Sequence, residues 1–228
     1  MTPTAPAGIP IAAIQILRPG PMSLLTSPFL LQTNLLPEAG GHVQVELLGE
    51  DGRLLMRKIQ SYNQSPGARL DIPFEVNFEI SAVAETARLQ VSVVDEHGRN
   101  RALASIDLLL LSLGEPSQNP PGDLLESIVI QEPKANALVQ GGMLRVSGLA
   151  RPRSDLPLMI ELHADDGKIV GTRQVAVDHS AGGQYGTFSI DVPYSVPSPA
   201  PVRLVVWERG AQIPGTVHLS SLEVLLSP

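Results

Sequence analysis

Cysteine is absent from this chain of 228 residues. Without thiols the protein has no disulfide, no thiolate metal site and no cysteine nucleophile. The absence leaves the compartment open, because many exported domains also lack cysteine. Runs of Lys or Arg are missing too, and the net charge is −7 at pH 7. We therefore do not expect nucleic acid or an anionic lipid surface to be the main partner.

Long apolar runs are also missing. A membrane helix needs about 18 consecutive apolar residues, whereas an unbroken run such as Leu108 to Leu111 has only the length of a strand. The N-terminal MTPTAPAGIP has neither the basic start nor the apolar segment of a signal peptide. Two interpretations stay open: a cytoplasmic protein, or an exported one whose targeting segment has been removed. Because this tail resembles a linker that follows a signal or anchor, we expect an extracellular or cell-envelope location, without membrane insertion of this segment.

Aromatic residues are scarce, at 4% with one Trp, so the core must consist mainly of Leu, Val and Ile. Gly and Pro are abundant, at 20 and 21 residues, and proline is excluded from helix interiors and central sheet positions. Short strands joined by turns are therefore favoured, and only Ile80 to Ala87 could form a single helical turn. Alternation of apolar and polar residues predicts seven strands in the first half, near residues 12–18, 29–36, 42–49, 53–60, 69–78, 87–95 and 102–112.

An internal repeat is the strongest signal in the sequence. Ile14-Gln-Ile16-Leu-Arg-Pro19 reappears as Ile128-Val-Ile130-Gln-Glu-Pro133, at an offset of 114 residues. Further ordered matches include Asp51-Gly52 with Asp166-Gly167, and they predict one domain that has been duplicated. The match of Leu70-Asp-Ile-Pro-Phe74 with Ile190-Asp-Val-Pro-Tyr194 raises the offset to 120, so we expect a five-residue insertion in the second copy, between Asp178 and Gly186. The expected core residues are Ile16, Val45, Leu70, Leu89 and Val91 in the first copy, and Ile130, Ile160, Ile190, Leu204 and Val206 in the second.

The segment between the copies, residues 114–122, is polar and rich in Pro and Gly. Such a composition predicts a semi-rigid, extended linker. The predicted organisation is a tail (1–10), a first domain (11–113), this linker (114–122) and a second domain (123–228). Since each copy has about seven short strands in roughly 100 residues, we predict an all-β protein with two tandem immunoglobulin-like β-sandwiches joined by a Pro-rich linker.

One pattern is complete in the second copy and partial in the first: Ile-x-Ile-x-x-Pro, a Gly after the second strand, Asp-Gly, Phe-x-Ile-x-Val-Pro-Tyr, and Arg-Leu-x-Val. It resembles the bacterial immunoglobulin-like domain associated with spore-germination proteins. The first copy departs at Asn34, aligned with Gly148, and at Arg69, aligned with Phe188. The resemblance implies an exported cell-envelope module without established catalytic residues. The matching residues of the second copy are Pro133, Gly148, Asp166-Gly167, Phe188, Pro193-Tyr194 and Arg203-Leu204.

No motif predicts catalysis or a cofactor. Asp178-His179-Ser180 contains the residue types of a hydrolase triad, but adjacent residues cannot converge, and triads are assembled from distant segments. Asp165-Asp166-Gly167 and the equivalent Glu50-Asp51 could bind calcium, but calcium needs more oxygen ligands, and both pairs suit a hairpin turn. The five histidines lack the spacing of a metal site. We therefore expect neither an enzyme nor a bound cofactor or metal.

Two features point to an interaction surface. Trp207 aligns with Ser92, whose position in the alternating strand faces away from the core, and exposed Trp residues often anchor interfaces. Leu109 and Leu111 lie in a run that is apolar on both faces, so they must be covered or exposed as a patch. For all three residues, coverage by a neighbouring loop or by the sister domain is the alternative.

These observations favour a non-catalytic structural or interaction module of the cell envelope. Its partner would be a protein or glycan of the envelope, or a second copy of the chain. The alternative is a carbohydrate-binding module that uses Trp207 with Tyr185 or Tyr194, which would require two or three exposed aromatic rings in one plane.

Overall fold

The structure is a computed structural model and describes residues 8–37, 42–62, 68–178 and 184–228. All regular secondary structure in these residues is β, so the predicted all-β fold is confirmed. The predicted helical turn at Ile80 to Ala87 is wrong, because a bend leads directly into a strand that begins at Ala84. No helix in the described part of the chain is long and apolar enough to cross a membrane.

Contacts divide the chain into two units. The N-terminal unit consists of Ala13–Leu124 together with Gly210–Val217. Three of its strands form one antiparallel sheet in the order β1-β3-β6, and four form a second in the order β8-β7-β4-β5, with β2 parallel to β8. Its strands are β1 Ile14–Arg18, β2 Leu24–Leu25, β3 Phe29–Leu35, β4 His42–Gly49, β5 Leu54–Ser61, β6 Leu70–Val76, β7 Ala84–Val94 and β8 Asn100–Leu111.

The C-terminal unit consists of Leu125–Arg209 and His218–Pro228, together with residues 8–12. Its three-stranded sheet has the order β14-β11-β9 and its four-stranded sheet the order β13-β12-β15-β16, with β10 parallel to β16. The units thus differ from the two sequence copies. The N-terminal unit includes Gly210–Val217 of the second copy, and the C-terminal unit includes residues 11–12 of the first. The strands are β9 Ile128–Glu132, β10 Leu138–Val139, β11 Met143–Ala150, β12 Leu158–Ala164, β13 Ile169–Val175, β14 Gly186–Pro193, β15 Ala200–Arg209 and β16 Thr216–Leu226.

Each unit is a β-sandwich with its own core. In both, the first strand pairs in the three-stranded sheet, and the short strand that follows runs parallel to the last strand of the other sheet. Two packed sheets with Greek-key connections define the immunoglobulin-like class. The predicted core residues are buried except Leu70, Ile130 and Ile190, which are partly buried and pack against the cores. Aliphatic side chains dominate both cores, as the scarcity of aromatic residues predicted.

The strand registers correct the predicted alignment of the copies. Thr33 lies opposite Ile16 on one side and Ile72 on the other, whereas Gly148 lies opposite Ile130 and Phe188. Gly148 therefore corresponds to Thr33 and not to Asn34, and Phe188 corresponds to Ile72 and not to Arg69. Packing volume explains the exchange, because the Phe188 ring fills the space in which a Cβ at position 148 would lie, 2.8 Å from its Cζ.

The predicted five-residue insertion is wrong for the same reason. With Ile72 equivalent to Phe188, the true counterpart of Ile190-Asp-Val-Pro-Tyr194 is Phe74-Glu-Val-Asn-Phe78, at an offset of 116 residues. The repeated Asp-x-Pro letters that suggested an offset of 120 are four residues out of register. The offset therefore changes by only one residue between β5 and β6.

The last two strands of each copy also correspond to each other. Arg88 on β7 forms an ion pair with Asp107 on β8, with Nε and Oδ1 3.4 Å apart. The equivalent residues, Arg203 and Glu223, are paired at 3.1 Å on β15 and β16. The same charged pair thus joins the last two strands of each copy.

The Pro-rich segment differs from the predicted extended spacer. Ser117 pairs with Leu24, with the two backbone hydrogen bonds at 2.8 and 2.9 Å. The backbone N–H of Asn119 donates to Oγ of Ser23 at 2.9 Å, and its side-chain amide donates to the carbonyl of Pro21. The segment is therefore bound along residues 20–24 of the N-terminal unit.

Candidate functional site

Trp207 lies on the outer side of the four-stranded sheet of the C-terminal unit. Its neighbours Val206 and Glu208 are buried, whereas the indole is only partly buried, opposite Met159 on β12. The guanidinium carbon of Arg209 lies 6.0 Å from the centre of the indole ring, and Arg209 Nη2 is 3.7 Å from the sulfur of Met159. Trp207, Met159 and Arg209 form what we call the Trp207 surface.

Ser92 does not support the inference that its strand position is solvated. It lies on the outer side of β7, as predicted, but is only 3% exposed. Arg88 and Val94 on the same side are also buried, so β7 is covered on both faces. Trp207 is therefore partly exposed, whereas Ser92 at the equivalent position is buried.

Leu109 and Leu111 lie on the outer side of β8 in the N-terminal unit. Both are partly buried; Leu109 pairs with Leu24, and Leu113 beyond the strand is 83% exposed. Leu108 and Leu110, which alternate with them, are fully buried in the core. Leu24, Leu109, Leu111 and Leu113 thus form a leucine stripe, an apolar surface of the kind that often marks an interaction site.

One of the two tyrosines in the carbohydrate alternative, Tyr194, is not available to a sugar. Tyr194 is buried, and its hydroxyl lies 3.0 and 2.9 Å from the carbonyls of Val139 and Ser227. Tyr185 is partly buried, donates to the carbonyl of Glu126 and carries the guanidinium of Arg151 over its ring. Tyr194 therefore cannot offer its ring to a sugar, and this form of the alternative is wrong.

The two Asp-Gly turns use their carboxylates within the turn. Oδ1 of Asp51 accepts the backbone N–H of Arg53 at 3.0 Å, and Oδ1 of Asp166 accepts that of Lys168 at the same distance. Gly52 and Gly167 have φ of 82° and 80°, the left-handed conformation that such turns require. Within residues 8–37, 42–62, 68–178 and 184–228, no group of three or more His, Asp or Glu side chains is placed to hold a metal ion.

Buried titratable groups gather near one end of the C-terminal unit. Nε2 of His218 lies 2.5 Å from Oε1 of Glu126, and both side chains are almost fully buried. Glu208 is 1% exposed, and its Oε1 accepts the backbone N–H of Arg153 at 2.6 Å. Burial raises the pKa of Glu208, and the hydrogen bond from Arg153 offsets this only in part. These contacts tie Glu126 to His218 and Glu208 to the backbone, which indicates a structural role.

Of the predicted triad-like run, Asp178 forms a bridge with Thr187 through two backbone hydrogen bonds. His179 and Ser180 lie outside the described residues.

Sequence reasoning found Trp207 but missed its two companions. Arg209 follows Trp207 by two residues and so shares its side of the strand, a signal that alternation alone provides. Met159 could not be found in this way, because the partner across a strand pair depends on the register.

No protein family matches the chain, and no curated protein is similar to it. Solved structures with some likeness include a transglutaminase of red sea bream, at 12% identity and a TM-score of 0.33, matched over 96% of this chain and 31% of the transglutaminase. Another is the D1–D4 ectodomain fragment of ICAM-5, at 13% identity and a TM-score of 0.26, over 93% of this chain and 53% of the fragment. The chain thus spans less than two thirds of either protein, and similarity at this level does not bear on function.

Proposed function

We propose that the chain is a non-catalytic interaction module of the cell envelope, built from two tandem immunoglobulin-like domains. The sandwich topology of each unit and the repeated ion pairs support the duplication. The envelope location and the tandem arrangement rest on the sequence, through the resemblance to the domain associated with spore-germination proteins. The partner is a protein or glycan of the envelope, or a second copy of the chain.

The Trp207 surface carries this proposal. A Trp side chain can bury about 150–250 Å², and because Trp207 is only partly exposed, at most about a third of that area, about 50–80 Å², remains for a partner. At about 25 cal/mol per Å², covering the remainder would contribute about 1–2 kcal/mol to association. Arg209 adds a charged group that can hydrogen-bond to a partner while it stacks on the indole.

Self-association, if it is the mode of binding, should use a sheet face rather than a sheet edge. Lys58 on the edge strand β5 lies on the same side as the core residue Val45, and its amino group is 5.5 Å from the centre of the Phe74 ring. Arg173 on the edge strand β13 is opposite the core residue Ile160 in the same way. Inward-pointing charges on edge strands oppose pairing with a further strand.

The test compares Trp207→Ser with Val83→Ser in sedimentation velocity and in co-sedimentation with isolated bacterial cell-envelope fragments. Val83 is 79% exposed and lies in the N-terminal unit, so it controls for the loss of an exposed apolar side chain. We expect Trp207→Ser to lose association at an unchanged melting temperature, and Val83→Ser to retain it. Equal association of both variants and the wild type would contradict the proposal, and a large fall in the melting temperature of Trp207→Ser would assign the indole a structural role.

A further inference from the structure

A cavity of about 320 Å³ opens on the outer side of the three-stranded sheet of the N-terminal unit. Its floor is formed by Thr33 and Ile72, which are buried, while Leu17 and Gln32 are partly buried and Asp71 and Pro73 are exposed. The pairing of β1 with β3 shifts between Ile16 and Arg18, so Leu17 is the extra residue of a β-bulge. Bulges re-aim side chains and often occur beside functional sites.

Two polar groups of the cavity are available for hydrogen bonding. The side-chain amide of Gln32 has no hydrogen-bond partner within the described residues. Oδ1 of Asp71 accepts the amide of Asn34 at 2.6 Å, but Oδ2 makes no hydrogen bond to any other described residue. A ligand must therefore donate to a carboxylate and both donate to and accept from an amide. Hydroxyl groups do both.

Asn34 links the carboxylate of Asp71 to the guanidinium of Arg69. The guanidinium of Arg69 bonds to Oδ1 of Asn34 and donates to its backbone carbonyl at 3.1 Å, and Asn34 links it to Asp71. Because Arg69 and Asp71 also attract each other electrostatically, the cavity has little need of a cationic ligand. Leu17 and Pro73 provide apolar walls on either side of Gln32, against which the C–H face of a sugar ring can pack.

We propose that this cavity is a binding site for a neutral, hexose-sized sugar unit, held by Gln32 and Asp71 and packed against Leu17 and Pro73. The volume is at the lower end of the range of about 300–1,000 Å³ that is usual for ligand pockets, so it fits one sugar unit rather than a chain of several. The site is separate from the Trp207 surface and does not depend on the function proposed for it.

The second copy provides a matched comparison. Its bulge lies at the same place, since the pairing of β9 with β11 shifts beside Gly148. By register, Gln32 corresponds to Ser147 and Asp71 to Thr187. The C-terminal unit thus has the same backbone without the amide and the carboxylate, and we expect sugar binding in the N-terminal unit alone.

The experiment titrates the full chain with methyl glucoside, methyl galactoside, methyl mannoside and N-acetylglucosamine, and with glucosamine as a cationic comparison, and follows binding by NMR chemical-shift changes. Gln32→Ser and Asp71→Thr introduce the residues of the sister copy, so both should fold, as their melting temperatures will show. We expect saturable binding of at least one sugar, weakened about tenfold by either change, since each removes a hydrogen bond to the ligand. Ser147→Ala and Trp207→Ser are the controls and should bind as the wild type does.

Four results would overturn the proposal. One is the absence of saturable shifts with all four sugars. Another is binding that Gln32→Ser and Asp71→Thr leave unchanged. The third is preferential binding of glucosamine over N-acetylglucosamine with loss in Asp71→Thr, which would make the cavity a cation site. Loss of sugar binding in Trp207→Ser alone would likewise contradict it, by placing the sugar on the Trp207 surface.

Discussion

Gly20 should be indispensable for binding of the Pro-rich segment to the N-terminal unit. A Cβ at this position would lie 1.8 Å from the carbonyl oxygen of Pro120 and 2.5 Å from its carbon. Both groups are backbone, so no rotamer change can relieve the overlap in Gly20→Ala, and the segment must move away. Its release breaks the hydrogen bonds that Ser117 and Asn119 make with residues 20–24.

The magnitude follows from those bonds. Each contributes about 0.5–1.5 kcal/mol net, and because the segment is exposed we take the lower half of that range, which gives about 2.5–5 kcal/mol for the five bonds together. Hydrogen exchange measured by NMR should therefore accelerate by at least about tenfold at the amides of Leu24 and Ser117, while amides in β7 remain the better protected. Because the folded unit loses the same free energy, its melting temperature should fall by several degrees.

Gly122→Ala is the graded control for this experiment. There a Cβ would lie 3.1 Å from Cγ of Pro21, a tight contact that a small shift of the ring can relieve. We expect a much smaller effect on exchange at Leu24 and Ser117 than in Gly20→Ala. Unchanged protection of both amides in Gly20→Ala would refute the binding of the segment along residues 20–24.

Three further predictions concern stability. Gly148→Ala would place a Cβ 2.1 Å from the carbonyl oxygen of Val129 and should lower the free energy of unfolding by at least about 1–3 kcal/mol, measured by urea denaturation. Leu89→Ala and Leu204→Ala truncate fully buried core residues at equivalent positions, and each should cost about 2–5 kcal/mol; a loss below about 1 kcal/mol would show that the site is not close-packed. Because burial raises the pKa of Glu208 in the folded chain, the folded state binds that proton more tightly than the unfolded state, and this group should add stability as the pH falls from neutral towards 4.5. Glu208→Gln should be more stable than the wild type at neutral pH and lose this pH dependence, and a less stable variant would contradict the sign.

The fold was largely predictable from the sequence because apolar alternation in strands and Asp-Gly pairs in turns are both local features. Apolar alternation identifies strands without knowledge of their partners, and seven of the eight strands of the N-terminal unit lie where alternation predicted them. Only the short β2 was missed, since two residues are too few to show a period. The Asp51-Gly52 and Asp166-Gly167 turns were predictable because their backbone conformation requires Gly.

Register was not predictable, and the errors follow from it. Repeated letters at Leu70-Asp-Ile-Pro-Phe74 and Ile190-Asp-Val-Pro-Tyr194 suggested a match, but strands of period two tolerate such coincidences at even shifts. Only the pairing of Thr33 with Ile72, and of Gly148 with Phe188, shows the correct offset.

The candidate sites were predictable only in part. A lone Trp on an alternating strand could be identified from the sequence, and so could the leucine run. The sugar-sized cavity could not, because it depends on the bulge that turns Leu17 outward and on the register that brings Gln32 and Asp71 to its rim. The burial of Ser92 was also beyond the sequence, since alternation assigns a residue to a face but does not say what covers that face.

The fluorescence of Trp207 tests the central claim most directly, because it is the one tryptophan of the chain. Emission and acrylamide quenching are recorded while isolated cell-envelope fragments, or further chain, are added. If the Trp207 surface is the contact, the partly exposed indole becomes covered, so the emission should shift to shorter wavelength and quenching should fall, both saturably and in parallel with co-sedimentation. Emission and quenching that stay constant while the chain binds, or an absence of binding to the fragments and to itself, would contradict the account.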